Sequence, residues 1–146
     1  MKMSSMLNTR RRRPIPERAG QLPRGGSYGE YSDRMRGDAW MPALDIFETG
    51  SAVIIRVELP GVSSEDIKVN TDADLIRIGG VRRTPEGLDV ARLHQMEIAF
   101  GPFHREIKIS VPFDQDRVSA HLVDGFLSIS LPKVTPSGRS VPVEKE

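Results

Sequence analysis

Cysteine is absent from the 146 residues. That excludes disulfides, zinc–thiolate sites, iron–sulfur clusters and cysteine nucleophiles, and it fits a reducing compartment. No stretch approaches the ~18 apolar residues of a membrane span. No ~7–15-residue apolar segment marks a secretory leader. Neither G-x-x-x-x-G-K-S/T nor G-x-G-x-x-G occurs, so no nucleotide cradle is visible. No serine sits in G-x-S-x-G. His94, His104 and His121 stand in no metal spacing such as H-E-x-x-H. The acidic pairs Glu65-Asp66 and Asp72/Asp74 suit turns and caps better than acid–base chemistry. The expectation is a non-enzyme with no cofactor and no metal.

With 38% hydrophobic and 28% charged residues, the composition is that of one globular domain. The net charge of +1 is unevenly spread. Residues 1–39 hold 9 Lys/Arg against 4 Asp/Glu, and residues 40–146 hold 12 against 16. A basic arm thus precedes a mildly acidic body. The arm carries Arg10-Arg11-Arg12-Arg13, three prolines and five glycines, with sparse and aperiodic apolar residues. Such a segment buries too little surface to offset the entropy of ordering. It is Arg-rich like a transit peptide, but its four acidic residues argue against one.

From Trp40 onward, short β-runs alternate with turn residues. In Ala52–Leu59, Val53, Ile55, Val57 and Leu59 fall on one face, the period of a half-buried strand. Pro60-Gly61 ends it, and Ser63–Asp66 suits a short helical turn. Ile67–Asn70 and Leu75–Ile78 flank Asp72-Ala73-Asp74 as a hairpin. Residues 79–92 read as a polar connection, with an extended patch at Asp89, Val90, Ala91, Arg92 and Leu93. Phe103–Val111 forms the next strand, in which Arg105 is in phase with Phe103, Ile107 and Ile109. Val118–Val123 and Phe126–Leu131 flank Asp124-Gly125, a type I′ hairpin signal. Prolines 60, 112 and 132 each follow a run and lack the N–H that would continue a ladder. No long 3.6-residue apolar stripe occurs. The pattern predicts an all-β fold, an antiparallel β-sandwich.

The residues that carry a known pattern run in order. They are Trp40–Glu48, Leu59-Pro60-Gly61-Val62, Gly101-Pro102-Phe103-His104-Arg105, Ala120-His121-Leu122-Val123-Asp124-Gly125-Phe126-Leu127 and Leu131-Pro132-Lys133, followed by Val141-Pro142-Val143. Over about residues 40–133 the chain resembles the small heat-shock protein, or α-crystallin, family. The resemblance implies an α-crystallin-like, immunoglobulin-like sandwich over 40–133. A flexible arm (1–39) precedes it, and a tail (134–146) with a docking motif follows. It further implies an ATP-independent holdase in the cytoplasm that captures partly unfolded clients under stress, built as a homo-oligomer of dimers.

The same resemblance assigns sites. Val141 and Val143, pre-extended by Pro142, would add to a sheet edge. Their groove would lie between Ile67 and Val69 on one strand and Val118, Ala120 and Leu122 on another. The plain alternative is a tail with two incidental valines. Asp89–Leu93 would pair with Asp45, Ile46 and Phe47 of a dimer mate; the alternative is a flexible loop. Arg105 would meet a carboxylate at the dimer contact, or else snorkel to water. The chain departs from the family in two places. Its arm has no phenylalanine, offering Met1, Met3, Met6, Met35 and a few other apolar residues instead, and Ile98 follows Glu97 where an arginine is usual.

Two other readings compete. A co-chaperone-like domain with one dedicated partner lacks the V-x-V tail and the A-x-x-x-D-G-x-L stretch, both present here. Nucleic-acid association through Arg10–Arg13 would be weak and salt-sensitive, with no aromatic platform beside it.

Overall fold

The computed structural model describes residues 25–29, 40–134 and 142–143. Its strands are β1 (Gly26–Ser27), β2 (Leu44–Glu48), β3 (Ala52–Glu58), β4 (Ile67–Asp72), β5 (Leu75–Arg82), β6 (Asp89–Val90), β7 (Gly101–Lys108), β8 (Ser119–Val123) and β9 (Phe126–Pro132). One sheet has four strands in the order β2-β3-β9-β8, and a second has three in the order β4-β5-β7. Every pairing between these strands is antiparallel. A separate ribbon joins β1 to β6. Among the described residues no helix is long and apolar enough to cross a membrane.

The inner faces follow from the alternation. Val53, Ile55, Val57 and Leu59 meet Leu127, Ile129 and Leu131, with Ile76, Ile78, Phe103 and Ile107 from the other sheet, in one buried core. Burying each such side chain contributes about 1.5–3 kcal/mol before ordering costs. The Asp124-Gly125 turn has φ values of 50° and 79°. Positive φ at both central residues is what a type I′ hairpin demands. Gly125 also packs against Pro60, and its carbonyl accepts from the Leu59 N–H at 2.7 Å. Short 3₁₀ turns occupy Ser64–Asp66 and Gln115–Arg117.

Three boundaries differ from the sequence expectation. The strand begun at Leu75 runs on through Gly79-Gly80 to Arg82, where a polar connection was expected. Gly80 is tolerated there because the Phe103 ring covers it; a Cβ would sit 2.6 Å from that ring and nearer still to the Asp66 carbonyl. The run beginning near Phe103 starts at Gly101 and stops at Lys108. Ile109 instead donates its N–H to the Asp74 carbonyl at 2.8 Å, tying it to the β4–β5 turn. Pro132 lies inside β9 rather than after it. It is the last residue, so the ladder needs no donor from it, and its carbonyl accepts from the Asp114 N–H at 2.9 Å.

Candidate functional site

The four-stranded sheet is wider than the one packed on it. Residues opposite each other in an antiparallel pair share a face. Ile46, Ile55, Ile129 and Ala120 therefore form one inner row, and Leu44, Val57, Leu127 and Leu122 another. The central members Ile55 and Ile129 have no exposure, whereas Ile46 at the β2 edge is 46% exposed. Ala120 at the β8 edge is also exposed. The sheet overhangs its partner at both flanks.

At the β8 flank, Val118 and Leu122 are half-buried against the core, as are Ile67 and Val69 on β4. Strands β4 and β8 are the edges of their respective sheets, and neither has a second strand partner among the described residues. Four of the five expected groove residues thus line the two edges, and Ala120 is open to solvent. Of the tail motif, Val141 lies outside the described residues. Pro142 is exposed and Val143 is 93% exposed.

The β2 flank is built by a strap. Trp40 makes a parallel bridge to Phe103 of the three-stranded sheet. Its Nε1–H donates to the Gly101 carbonyl at 3.1 Å, and its ring lies 5.2 Å from that of Phe103. Four residues later the same segment is β2 of the other sheet, so it crosses from one layer to the other. Arg82 stacks on the Trp40 ring at 4.0 Å and donates from Nη1 to the Ala99 carbonyl at 3.0 Å. Burial pushes the Arg82 guanidinium down from its ordinary basicity, and the Glu58 charge partly restores it. Arg105 reaches the same strap: its Nη1 donates to the Pro42 carbonyl at 2.6 Å. Lys133 holds the far end of β2, donating to the Thr49 carbonyl at 2.9 Å and pairing with Glu48 at 2.6 Å. Between these tethers Asp45, Ile46 and Phe47 present an edge that is unpaired among the described residues. Phe47 is 47% exposed.

The loop between β5 and β7 leaves the sandwich beside this flank. Arg83 grips Asp66 with two bonds, Nε to Oδ2 at 2.8 Å and Nη2 to Oδ1 at 2.6 Å. That bond holds the Asp66 carboxyl below the usual carboxylate range, and Asp66 in turn raises the Arg83 guanidinium. Of the expected patch, only Asp89 and Val90 form a strand, and they pair with Gly26 and Ser27 of the same chain. Ala91 accepts from the Gly25 N–H at 3.2 Å. Arg92 is exposed and Leu93 half-buried.

Sequence reasoning does not single out Trp40, Arg82, Asp66, Arg83 or Lys133 for these roles. A lone tryptophan ahead of the first strand and an Arg-Arg pair after Gly-Gly are the available signals. Among the described residues, no group of three or more His, Cys, Asp or Glu side chains is arranged to hold a metal ion.

Comparison with known proteins places this geometry. The family model of the Hsp20/alpha crystallin family matches residues 45–144. Spore protein SP21 of Stigmatella aurantiaca is 33% identical over 103 residues, covering 70% of this chain and 61% of that protein. Heat shock protein 16 of Schizosaccharomyces pombe is 36% identical over 98 residues, covering 66% of this chain and 68% of the relative. The chain thus spans about three fifths to two thirds of the length of these relatives. Among solved structures, a small heat-shock protein from Xylella fastidiosa superposes with a TM-score of 0.62 at 30% identity, covering 73% of this chain and 98% of the other. Heat shock protein 16.0 from Schizosaccharomyces pombe does so with a TM-score of 0.58 at 32% identity, covering 73% and 99%. From the two overhanging edges to the Leu-Pro-Lys end of β9, the chain belongs to the Hsp20/alpha crystallin family.

Proposed function

We propose that this chain is a stress chaperone of the holdase type, working without ATP in the cytoplasm on partly unfolded proteins. The observation that carries the reading is the pair of overhanging sheet flanks. Apolar residues that belong to the core face stand half-open beside unpaired backbone. An unpaired edge with apolar knobs beside it binds extended chain by adding a strand. An unfolding client offers such a segment, and a client held there cannot pair with another.

On this reading the flanks have separate occupants at rest. The β2 edge, Asp45 to Phe47, takes the loop strand around Asp89–Leu93 of a second copy and makes a dimer, with Arg105 at the contact. The groove between Ile67 and Val69 and Val118, Ala120 and Leu122 takes Val141-Pro142-Val143 of another subunit and joins dimers into a larger oligomer. Burying two valines contributes about 3–6 kcal/mol before ordering costs, a modest hold that lets the tail exchange. Heating releases it and frees the groove for a client.

The test is light scattering of a heat-labile protein warmed with and without this chain, in the absence of ATP. Suppression of scattering is expected. A folded chain that leaves scattering unchanged would overturn the holdase reading in favour of one dedicated partner. Val141→Gly with Val143→Gly should reduce the native mass; an unchanged mass refutes tail docking.

A further inference from the structure

The proposed dimer gives the β5–β7 loop one partner, the β2 edge of a second copy. The structure gives it another, from its own chain. Residues 25–29 lie along this loop and meet both of its limbs. Gly26 pairs with Val90 and Ser27 with Asp89. Tyr28 meets Phe100 edge-on, with centroids 5.7 Å apart and rings at 88°, which sets residues 25–29 against the returning limb. Gly29 lies beside the Thr84 side chain on the outgoing limb.

The phase of the ribbon decides what remains available. Antiparallel ladders alternate between hydrogen-bonded and non-hydrogen-bonded pairs. The Gly25 N–H donates to the Ala91 carbonyl at 3.2 Å. Gly25–Ala91 and Ser27–Asp89 are therefore hydrogen-bonded pairs, and Gly26–Val90 between them is not. The backbone groups of Asp89 and Ala91 face β1, while the N–H and carbonyl of Val90 face away from it. Strand β6 pairs with nothing else among the described residues.

We infer that β6 is a two-sided strand, holding β1 of its own chain on one edge and β2 of a second copy on the other. The arm then rides on the loop onto the partner and does not compete with it. This rests on the strand-exchange reading above. The two edges use alternate residues, so filling the first leaves the second intact. It also orders the loop beforehand, which lowers the entropy lost on docking. The arm, short of apolar residues for binding clients, thereby acquires a structural role, stiffening the element that makes the dimer.

The absence of cysteine allows a clean test. A hydrogen-bonded antiparallel pair has Cα atoms about 5.5 Å apart, inside the ~4.4–6.8 Å that a disulfide spans. Ser27→Cys with Asp89→Cys is made in the full chain and oxidised. A cross-link within one chain is expected, running as a monomer on a denaturing non-reducing gel. Dimer dissociation on dilution should stay within about threefold of the reduced form, because the docking edge is untouched. A cross-link between chains, or a native assembly driven to monomer by oxidation, overturns the inference. Ser27→Pro removes one β1 donor without altering β6 or β2. It should weaken the dimer by about threefold to tenfold, the worth of one backbone bond and its ordering; an unchanged dimer overturns the coupling. Val90→Pro removes the donor on the outer edge and should dissociate the dimer. A Val90→Pro dimer as tight as the parent overturns the exchange reading, and with it the outer half of this inference. Oxidation to monomer, by contrast, strikes the inference alone.

Discussion

At the β2 flank, side chains from elsewhere in the chain hold the edge in place. Lys133 fixes its turn, Arg105 fixes the residues ahead of it, and Trp40 plants the strap on the opposite sheet. At the β8 flank the side-chain ties are fewer, and they hold the 3₁₀ turn ahead of β8 rather than the strand itself. Gln115 donates to the Ala73 carbonyl at 3.0 Å, and the Asp114 carboxylate caps its own 3₁₀ turn at 3.1 Å. Among the described residues, β8 and β4 share no strand pairing across the open side. Both flanks expose core-type residues, yet the β2 edge is braced by several long side chains, whereas between the β8 side and the β4–β5 turn the tie described is the single bond from Gln115 to Ala73. A heavily braced edge suits a lasting strand partner, and a lightly tied pair of edges suits an occupant that leaves. On the proposed reading those are the dimer mate and the tail.

Trp40→Ala should do most to erase the difference. It removes the ring from Phe103 and Arg82 and leaves the Gly101 carbonyl without its donor. A loss of about 3 kcal/mol in urea unfolding is expected, with amide protection falling along β2 before β8. Gly80→Ala strikes the other side. The added Cβ has no room against Phe103 and the Asp66 carbonyl, so β4 must shift outward, at about 2 kcal/mol. Hydrogen exchange should quicken in β4 and β5 while β2 keeps its protection; the reverse order would mean the flanks are mechanically linked. Lys133→Ala is smaller, about 0.5–1 kcal/mol. It should loosen β2 alone, seen as faster amide exchange along β2 with β4 and β8 unchanged.

The smallest effect is acid sensitivity at the loop base. The Arg83 bond holds the Asp66 carboxyl below its ordinary value. Its stabilising contribution is therefore complete above the unfolded-chain pKa of about 4, and disappears as pH falls through the lower folded value. Over that acid interval the 83–100 amides should lose protection, exchanging faster relative to their intrinsic rate at each pH. Asp66→Asn should remove that step in protection.

Much of the sandwich was legible because its signals are local. The alternation of Val53, Ile55 and Val57 needs only a strand, and Asp124-Gly125 needs only a turn with positive φ. What escaped depends on distant partners. Gly79-Gly80 reads as a break until Phe103, far along the chain, covers Gly80. Arg82 and Arg83 read as polar loop, though one lies on an indole and the other grips a carboxylate. Arg105 was conspicuous by its phase on an apolar face, but a carbonyl acceptor at Pro42 leaves no mark in a sequence. Gly26 and Ser27 were invisible as a strand, since two residues among glycines and prolines carry no period. The groove residues came from resemblance, because half-burial at an edge looks the same as burial at a centre when only the alternation is read.

The position of β9 has a consequence for how the chain is made. Strand β3 lies at the centre of its sheet, between β2 and β9. Its neighbour β2 is synthesised just before it, but β9 ends at Pro132. At ~5–20 residues per second, roughly 4–15 s separate the end of β3 from the end of β9. Throughout that interval Val53, Ile55 and Val57 lack the β9 residues that they pair with in the native sheet. Pairings this remote fold late and slowly. A protein proposed to shelter other chains' unpaired strands thus begins with a strand of its own whose partner is still to be made.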